Sequence, residues 1–156
     1  SRIDVFWKPY PAALQVLLDE AHKSFGQAIL VDCHSMPHEA LVSNGSGKAK
    51  LPDIVIGDRY GASADPRVVG QVEAAFRAEG FVVARNMPFA GAYIVEQYGR
   101  PAQNRHAIQI EIDRSLYMDE ARIEPRADFA KVRAALLRAA RRVAAIEADD
   151  LPLAAE

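Results

Sequence analysis

Two short stretches of this sequence carry side chains that could do chemistry. The first is DCHS at residues 32–35, where a carboxylate, a thiol, an imidazole and a hydroxyl follow an apolar run. The second is HAIQIEID at residues 106–113, which as a strand would place Gln109, Glu111 and Asp113 on one face, because side chains alternate. Imidazole and carboxylate groups bind metals and transfer protons, so both stretches are candidates for a functional site.

Each candidate also has an interpretation without chemistry. His34 could be a metal ligand or a histidine hydrogen-bonded near a strand end, and Cys33 could be a nucleophile but is typical of a small apolar filler. The polar face of residues 106–113 indicates either a central strand lining a wet cavity or an edge strand with a solvated face. His38 does not form a helical metal-binding pair with His34, because Pro37 lies between them and no Glu follows His34.

Periodicity predicts the elements that must position these residues. The apolar run before DCHS has the pattern of a strand buried on both faces of a parallel sheet. Asp65 and Pro66 have the residue types of an N-cap and a first helical turn. The predicted strands are residues 28–32, 53–58, 81–86 and 106–113; the predicted helices are residues 10–25, 66–79 and 126–147; and residues 39–52, rich in Gly, Ser and Lys, are predicted to form a long loop.

The alternation of strands and helices predicts an α/β sandwich with a mainly parallel sheet, because parallel strands need crossover connections that helices supply. Sites in such sheets form at the carboxyl ends of strands. We therefore expect residues 32–35 to lie where a strand leads into a loop that builds a site.

The composition is that of an ordinary soluble globular protein of one domain. Of the 156 residues 26% are charged and 50% are hydrophobic, with a net charge of -2, which does not favour a nucleic-acid partner. The apolar runs are far shorter than the roughly 20 residues that cross a bilayer, and no signal-peptide pattern is present, so we expect a cytoplasmic protein that does not bind membranes. Cys33 is the single cysteine, so no internal disulfide can form. The oligomeric state cannot be read from the sequence.

Four strings in order, VDCHSMP, LPDIVIGDRYGAS, NMPFAGAYIVEQYGRP and HAIQIEIDRSLYMDE, resemble the N-formylglutamate amidohydrolase family, also called N-formylglutamate deformylases. The similarity runs from about residue 7 to residue 120. The resemblance implies a zinc-dependent amidohydrolase that releases formate and glutamate from N-formylglutamate or acts on a related N-acyl amino acid, with a place in histidine degradation. It also implies a three-layer fold like that of carboxypeptidases and aspartoacylases, with a mainly parallel, mixed sheet.

The resemblance assigns roles to particular residues. It implies that His34 is a ligand of one catalytic zinc ion, with Asp32 orienting it from behind. Glu111 matches the family's general base. Matching motifs also contain Arg59, Tyr93 and Arg114, which become candidates to hold the carboxylates of a small-molecule substrate.

The sequence also departs from the family. A PHSG-type motif, the acidic metal ligand after it and a further Arg-containing motif are expected upstream and are absent. Two explanations stay open: residues 1–156 are the C-terminal part of a longer catalytic domain whose N-terminal strands and remaining ligands are missing, or they are a shortened relative that has lost the metal. We expect the first, since the chain begins with Ser. The alternative function is a metal-free, non-catalytic binding domain for N-acyl amino acids or acidic small molecules.

Overall fold

The computed structural model describes residues 1–44 and 50–147. A short π-helical turn, Ile3–Trp7, leads directly into the first long helix. The helices are α1 (Pro9–Phe25), α2 (His38–Asn44), α3 (Pro66–Arg77), α4 (Tyr93–Tyr98) and α5 (Phe129–Ala144); the strands are β1 (Ala28–Met36), β2 (Ile54–Gly57), β3 (Val83–Arg85), β4 (Arg105–Asp113), β5 (Met118–Asp119) and β6 (Glu124–Pro125). Within this part of the chain, no helix has the length and apolar character needed to cross a membrane.

Four strands form one sheet in the order β1-β4-β2-β3, and β5 and β6 form a separate two-stranded pair. The β1–β4 and β2–β3 pairs are parallel, whereas β2 runs antiparallel to β4. The prediction of an α/β fold with a mainly parallel, mixed sheet is therefore confirmed. The order leaves β1 at an edge and β4 in the middle.

One face of the sheet is apolar and packs against α3 and α5. Isoleucines from β2 and β4 supply the centre of this core, and valines of α3 lie on them. α3 begins as predicted, with the Asp65 carboxylate accepting a hydrogen bond from the backbone N–H of Arg67 at 2.8 Å and Pro66 in the first turn. The fully buried members of this core include Ile54, Ile56, Val68, Val69, Val72 and Ile108.

The opposite face carries α1 and α4 at one end and α2 at the other. Leu18 of α1 and Val95 of α4 pack on Ala28 and Ala107. At the other end Leu41 of α2 packs with Met36 and Val55. These helices leave polar residues of β1 and β4 between them, so we call this side of the sheet the polar face.

The strand predictions need two corrections. β1 does not end at Asp32 but continues to Met36, because all nine of its residues pair with β4. His34 and Ser35 therefore lie inside a strand and not in a loop after it. β1 is also not buried on both faces, since it is the edge strand; as a result Cys33 is exposed, and its interpretation as a buried filler is wrong.

One segment predicted as a loop contains a helix, and a second short helix lies where none was predicted. Residues 38–44 of the predicted 39–52 loop form α2, because Leu41 has an apolar core to pack against. Residues 45–49 of the same predicted loop lie outside the described residues. Further along, the segment after Gly91 forms α4, whose Val95 is fully buried.

Candidate active site

The pairing of β1 with β4 brings the two polar stretches of the sequence together. Asp32 lies directly opposite Gln109, and His34 lies directly opposite Glu111. Each pair of opposite residues is a rung of the parallel ladder. Because side chains alternate along both strands, the two rungs project from the same side of the sheet, the polar face. β4 is thus a central strand, so its edge-strand interpretation does not hold.

His34 is held between two carboxylates. Its Nε2 lies 2.9 Å from Oδ1 of Asp32, and its Nδ1 lies 3.8 Å from Oε1 of Glu111. Nearly half of the imidazole is exposed, whereas Asp32 is largely covered. A carboxylate on one ring nitrogen fixes the orientation of a histidine and leaves the other nitrogen for a ligand. This geometry agrees with an orienting position for Asp32.

Glu111 is a buried carboxyl group with one oxygen unoccupied. Its Oε1 accepts a hydrogen bond from Nε2 of Gln109 at 2.9 Å. Its Oε2 is buried and has no hydrogen-bond partner within the described residues. Burial raises the pKa of Glu111, while His34, Gln109 and Arg114 act in the opposite direction. A buried acceptor without a donor is costly, so this oxygen is positioned to receive a proton or a ligand.

Gln109 connects Glu111 to a loop. While its Nε2 donates to Glu111, its Oε1 accepts a hydrogen bond from the backbone N–H of Ala92 at 3.1 Å. The loop approaches β2 so closely that a Cβ on Gly57 would lie 2.7 Å from the carbonyl carbon of Ala90. Only glycine fits there, and the loop therefore borders the rung of Asp32 and Gln109.

Arg59 and Tyr93 lie on this loop side of the site. The Arg59 backbone N–H donates to the carbonyl of Ala90, and its guanidinium forms an ion pair with Glu96 at 2.9 Å. Tyr93 begins α4 and is exposed. Both side chains are accessible to a small molecule, although the carboxylate of Glu96 occupies one nitrogen of Arg59.

Arg114 lies at the opposite end, just beyond β4. Its Nε donates to Oγ of Ser35 at 3.2 Å, and one terminal nitrogen donates to the carbonyl oxygen of Ser35 at 3.2 Å. Its other terminal nitrogen is 4.0 Å from a carboxylate oxygen of Glu120. The predicted binding residues therefore divide between two ends, with His34 and Glu111 between them.

A zinc ion would find one good ligand here. Zinc sites use several His, Cys, Asp or Glu ligands, and a catalytic site uses three with one open position. His34 offers one imidazole nitrogen, Nδ1, which lies 3.8 Å from Oε1 of Glu111. Across residues 1–44 and 50–147, no group of three or more His, Cys, Asp or Glu side chains is arranged to hold a metal. The described residues thus fit part of a zinc site.

Sequence reasoning gave no role to two residues that shape the site. Gln109 was recognised only as part of a polar face, although a Gln two residues before a Glu on one strand face could have indicated their hydrogen bond. Asn86 is buried, and its side-chain oxygen accepts from the backbone N–H groups of Asp58 and Tyr60 while its Nδ2 donates to Asp58 at 2.6 Å. It thereby shapes the loop that carries Arg59. No local pattern indicated this contact, because 28 residues separate Asn86 from Asp58.

Known proteins are similar to this chain in sequence. A sequence model of the family described as N-formylglutamate amidohydrolase matches residues 1–118. The N-formylglutamate deformylase of Pseudomonas aeruginosa is 37% identical over 135 residues, which are 85% of this chain and 49% of that protein. The N-formylglutamate deformylase of Pseudomonas putida is 36% identical over 120 residues, covering 76% of this chain and 43% of that protein.

A solved structure is also similar to this chain in fold and sequence. The crystal structure of N-formylglutamate amidohydrolase from Ralstonia eutropha JMP134 is 38% identical, with a TM-score of 0.79, and covers 92% of this chain and 52% of that chain. This chain therefore spans about half the length of the relatives it matches.

Proposed function

Because this chain belongs to the N-formylglutamate amidohydrolase family, we propose that it contributes His34 and Glu111 to a zinc-dependent site that hydrolyses the amide of N-formylglutamate. The observation that carries the proposal is the unpartnered, buried Oε2 of Glu111 on the same rung as His34. The products are formate and glutamate, and the substrate is a small molecule with carboxylates.

The residues of this chain have distinct tasks in the reaction. The oxygen of water attacks the formyl carbon while Glu111 accepts a water proton on Oε2; Glu111 then delivers that proton to the nitrogen as the C–N bond breaks. Gln109 holds the other carboxylate oxygen and so fixes the direction of Oε2. His34, oriented by Asp32, would be a zinc ligand, and a bound zinc ion would polarise the carbonyl and make water a better nucleophile at neutral pH. Arg59, Tyr93 and Arg114 would bind substrate carboxylates.

Further polypeptide is needed to complete this site. We propose that residues 1–156 are the C-terminal part of a longer catalytic domain, layered as in carboxypeptidases, in which added strands pair with β1 and bring the remaining zinc ligands. β1 is an unpaired edge strand, and an exposed edge is a template for another strand. On the apolar face beside it lies a groove of about 850 Å³ lined by Ile29, Val31, Cys33, Val143 and Ile146 among others. A groove of this kind is suited to apolar side chains of the added segment.

The proposal is tested by assaying formate release from N-formylglutamate by the complete gene product, with zinc and after chelation. We expect turnover that chelation removes and zinc restores. No turnover of any N-acyl acidic amino acid would contradict it.

One observation favours a second candidate, a metal-free binding domain: the described residues lack a group of three metal ligands. Equilibrium dialysis separates the two functions. Binding of N-acyl amino acids by a complete gene product that binds no zinc would support the binding domain.

A further inference from the structure

His38 is paired with a buried carboxylate that the reaction above does not use. Its Nδ1 lies 2.8 Å from Oδ2 of Asp113, whose side chain is 5% exposed. Both oxygens of Asp113 are occupied, Oδ1 by the backbone N–H of Ser115 and Oδ2 by the Ser115 hydroxyl as well as by His38. With the Asp113 carboxylate on one side of the ring, Nδ1 is the donor of this hydrogen bond and Nε2 points away from Asp113.

This pair lies at one end of the candidate active site. Asp113 is opposite Met36, two rungs beyond the rung of His34 and Glu111. Residues 111 and 113 project from the same face of β4, about 7 Å apart along the strand. His38 therefore stands on the polar face, one side-chain step beyond the proposed general base.

The free side of the imidazole is available to a ligand. His38 is 43% exposed, and its Nε2 has no hydrogen-bond partner among the described residues. Two other charged groups lie here: Glu120 accepts a hydrogen bond from the His38 backbone N–H at 2.9 Å, and Arg114 is bound to Ser35 and approaches Glu120. An imidazole with hydrogen on both nitrogens donates to one carboxylate from Nδ1 and can donate a charge-assisted hydrogen bond to a second carboxylate from Nε2.

We propose that His38, held by Asp113, donates a hydrogen bond from Nε2 to one of the two carboxylates of the substrate, beside Arg114. This proposal rests on the proposed function and adds a specificity residue to it. It accounts for the half-exposed imidazole of His38, which is held on the polar face by Asp113. Both carboxylate oxygens of Asp113 already accept hydrogen bonds.

The test compares His38→Asn with the wild type in the complete gene product. An Asn amide nitrogen can still donate to Asp113 from roughly the Nδ1 position, but it has nothing where Nε2 stood. His22→Gln, a histidine substitution on α1, is the matched control. Steady-state formate release is measured with N-formylglutamate, with N-formylglutamine, which lacks the side-chain carboxylate, and with N-formylisoglutamine, which lacks the α-carboxylate. Zinc content and unfolding temperature are measured for each variant.

We expect His38→Asn to raise KM for N-formylglutamate about tenfold, as loss of a charge-assisted bond should, with kcat within about twofold of the wild type. The increase should disappear with the one analogue that lacks the contacted carboxylate. An unchanged KM, an increase that persists with both analogues, or a loss of zinc would overturn the proposal. If the wild type releases no formate, the proposed function fails instead. Calorimetry then decides the role of His38: about tenfold weaker binding of N-formylglutamate by His38→Asn than by the wild type supports it, and equal binding overturns it.

Discussion

His34 and Glu111 face each other across one rung of the β1–β4 pair, with the imidazole Nδ1 3.8 Å from the nearer carboxylate oxygen. This relationship joins residues that are 77 positions apart in the sequence. It places a potential metal ligand and a potential base on one surface, while the second oxygen of Glu111 has no hydrogen-bond partner in the part of the chain that the structure describes.

Glu111 should make the isolated chain less stable than a neutral replacement would. Burial disfavours the ionised carboxylate and raises the pKa of Glu111, so the folded state loses stability as the pH rises through that raised pKa. Glu111→Gln should therefore raise the free energy of unfolding at pH 7, by about 1 kcal/mol. The gain should shrink as the pH falls through the raised pKa and should be absent below about 4.5, where the carboxyl group is neutral in both the folded and the unfolded chain. Urea unfolding at several pH values measures it, and a gain independent of pH would be inconsistent with this account.

His106 should have the opposite dependence on pH. Its imidazole is buried, its Nδ1 accepts the backbone N–H of Asp65 at 3.2 Å, and burial lowers the pKa of His106. The unfolded chain then binds the proton more readily, so this contribution is complete above about pH 6.5 and is lost on acidification below it.

In a His106→Gln variant that part of the pH dependence should vanish. The difference in unfolding free energy between wild type and variant, followed from pH 8 to pH 5, is the measurement. His22→Gln serves as the control for replacing a histidine outside this contact. Parallel curves for wild type and His106→Gln would show that His106 does not titrate as described.

The interface between β2 and the loop at residues 90–92 can be tested with two glycines. Gly57→Ala would place a Cβ 2.7 Å from backbone atoms of Ala90 and Gly91, and we expect a loss of about 2 kcal/mol or more. In helix α3 the nearest atom to an added Cβ on Gly70 is 3.9 Å away, so Gly70→Ala should stabilise by about 0.5 to 1 kcal/mol. Chemical unfolding of both variants should give opposite signs. Equal effects would refute the tight packing.

Much of the fold could be predicted from local patterns. The four strands of the main sheet, α3 with its Asp65 cap and the C-terminal helix each have a periodicity that their own residues establish. The length of β1 could not be predicted from local patterns, because Cys33, His34 and Ser35 belong to the strand only through their pairing with β4. Likewise α2 follows a proline and precedes a Gly-rich stretch, and Leu41 stabilises it by a tertiary contact.

The candidate site was predictable in part. The motifs identified His34 and Glu111, and the pairing of the strands brings them together as the account required. The motifs did not reveal that Gln109 touches both Glu111 and Ala92, or that Asp113 binds His38, 75 residues away. Such contacts depend on register and on loop paths, which local patterns do not contain.

Gln109→Leu should slow catalysis without removing substrate binding. The variant loses the donor to Glu111 and the acceptor for Ala92, so the carboxylate and the adjoining loop both become less well oriented. We expect kcat to fall about tenfold or more, with a smaller change in KM. The exposed Gln103, replaced in the same way, is the matched control. A kcat equal to that of the wild type would show that Gln109 does not position the base.

The central claim is that Glu111, on the rung of His34, is the proton acceptor of amide hydrolysis. Its most direct test is the rate of formate release by Glu111→Gln in the complete gene product, with zinc content measured on the same sample. The account predicts a fall in turnover of about 10² or more with zinc content unchanged, as loss of a general base should give. Turnover equal to that of the wild type would contradict it.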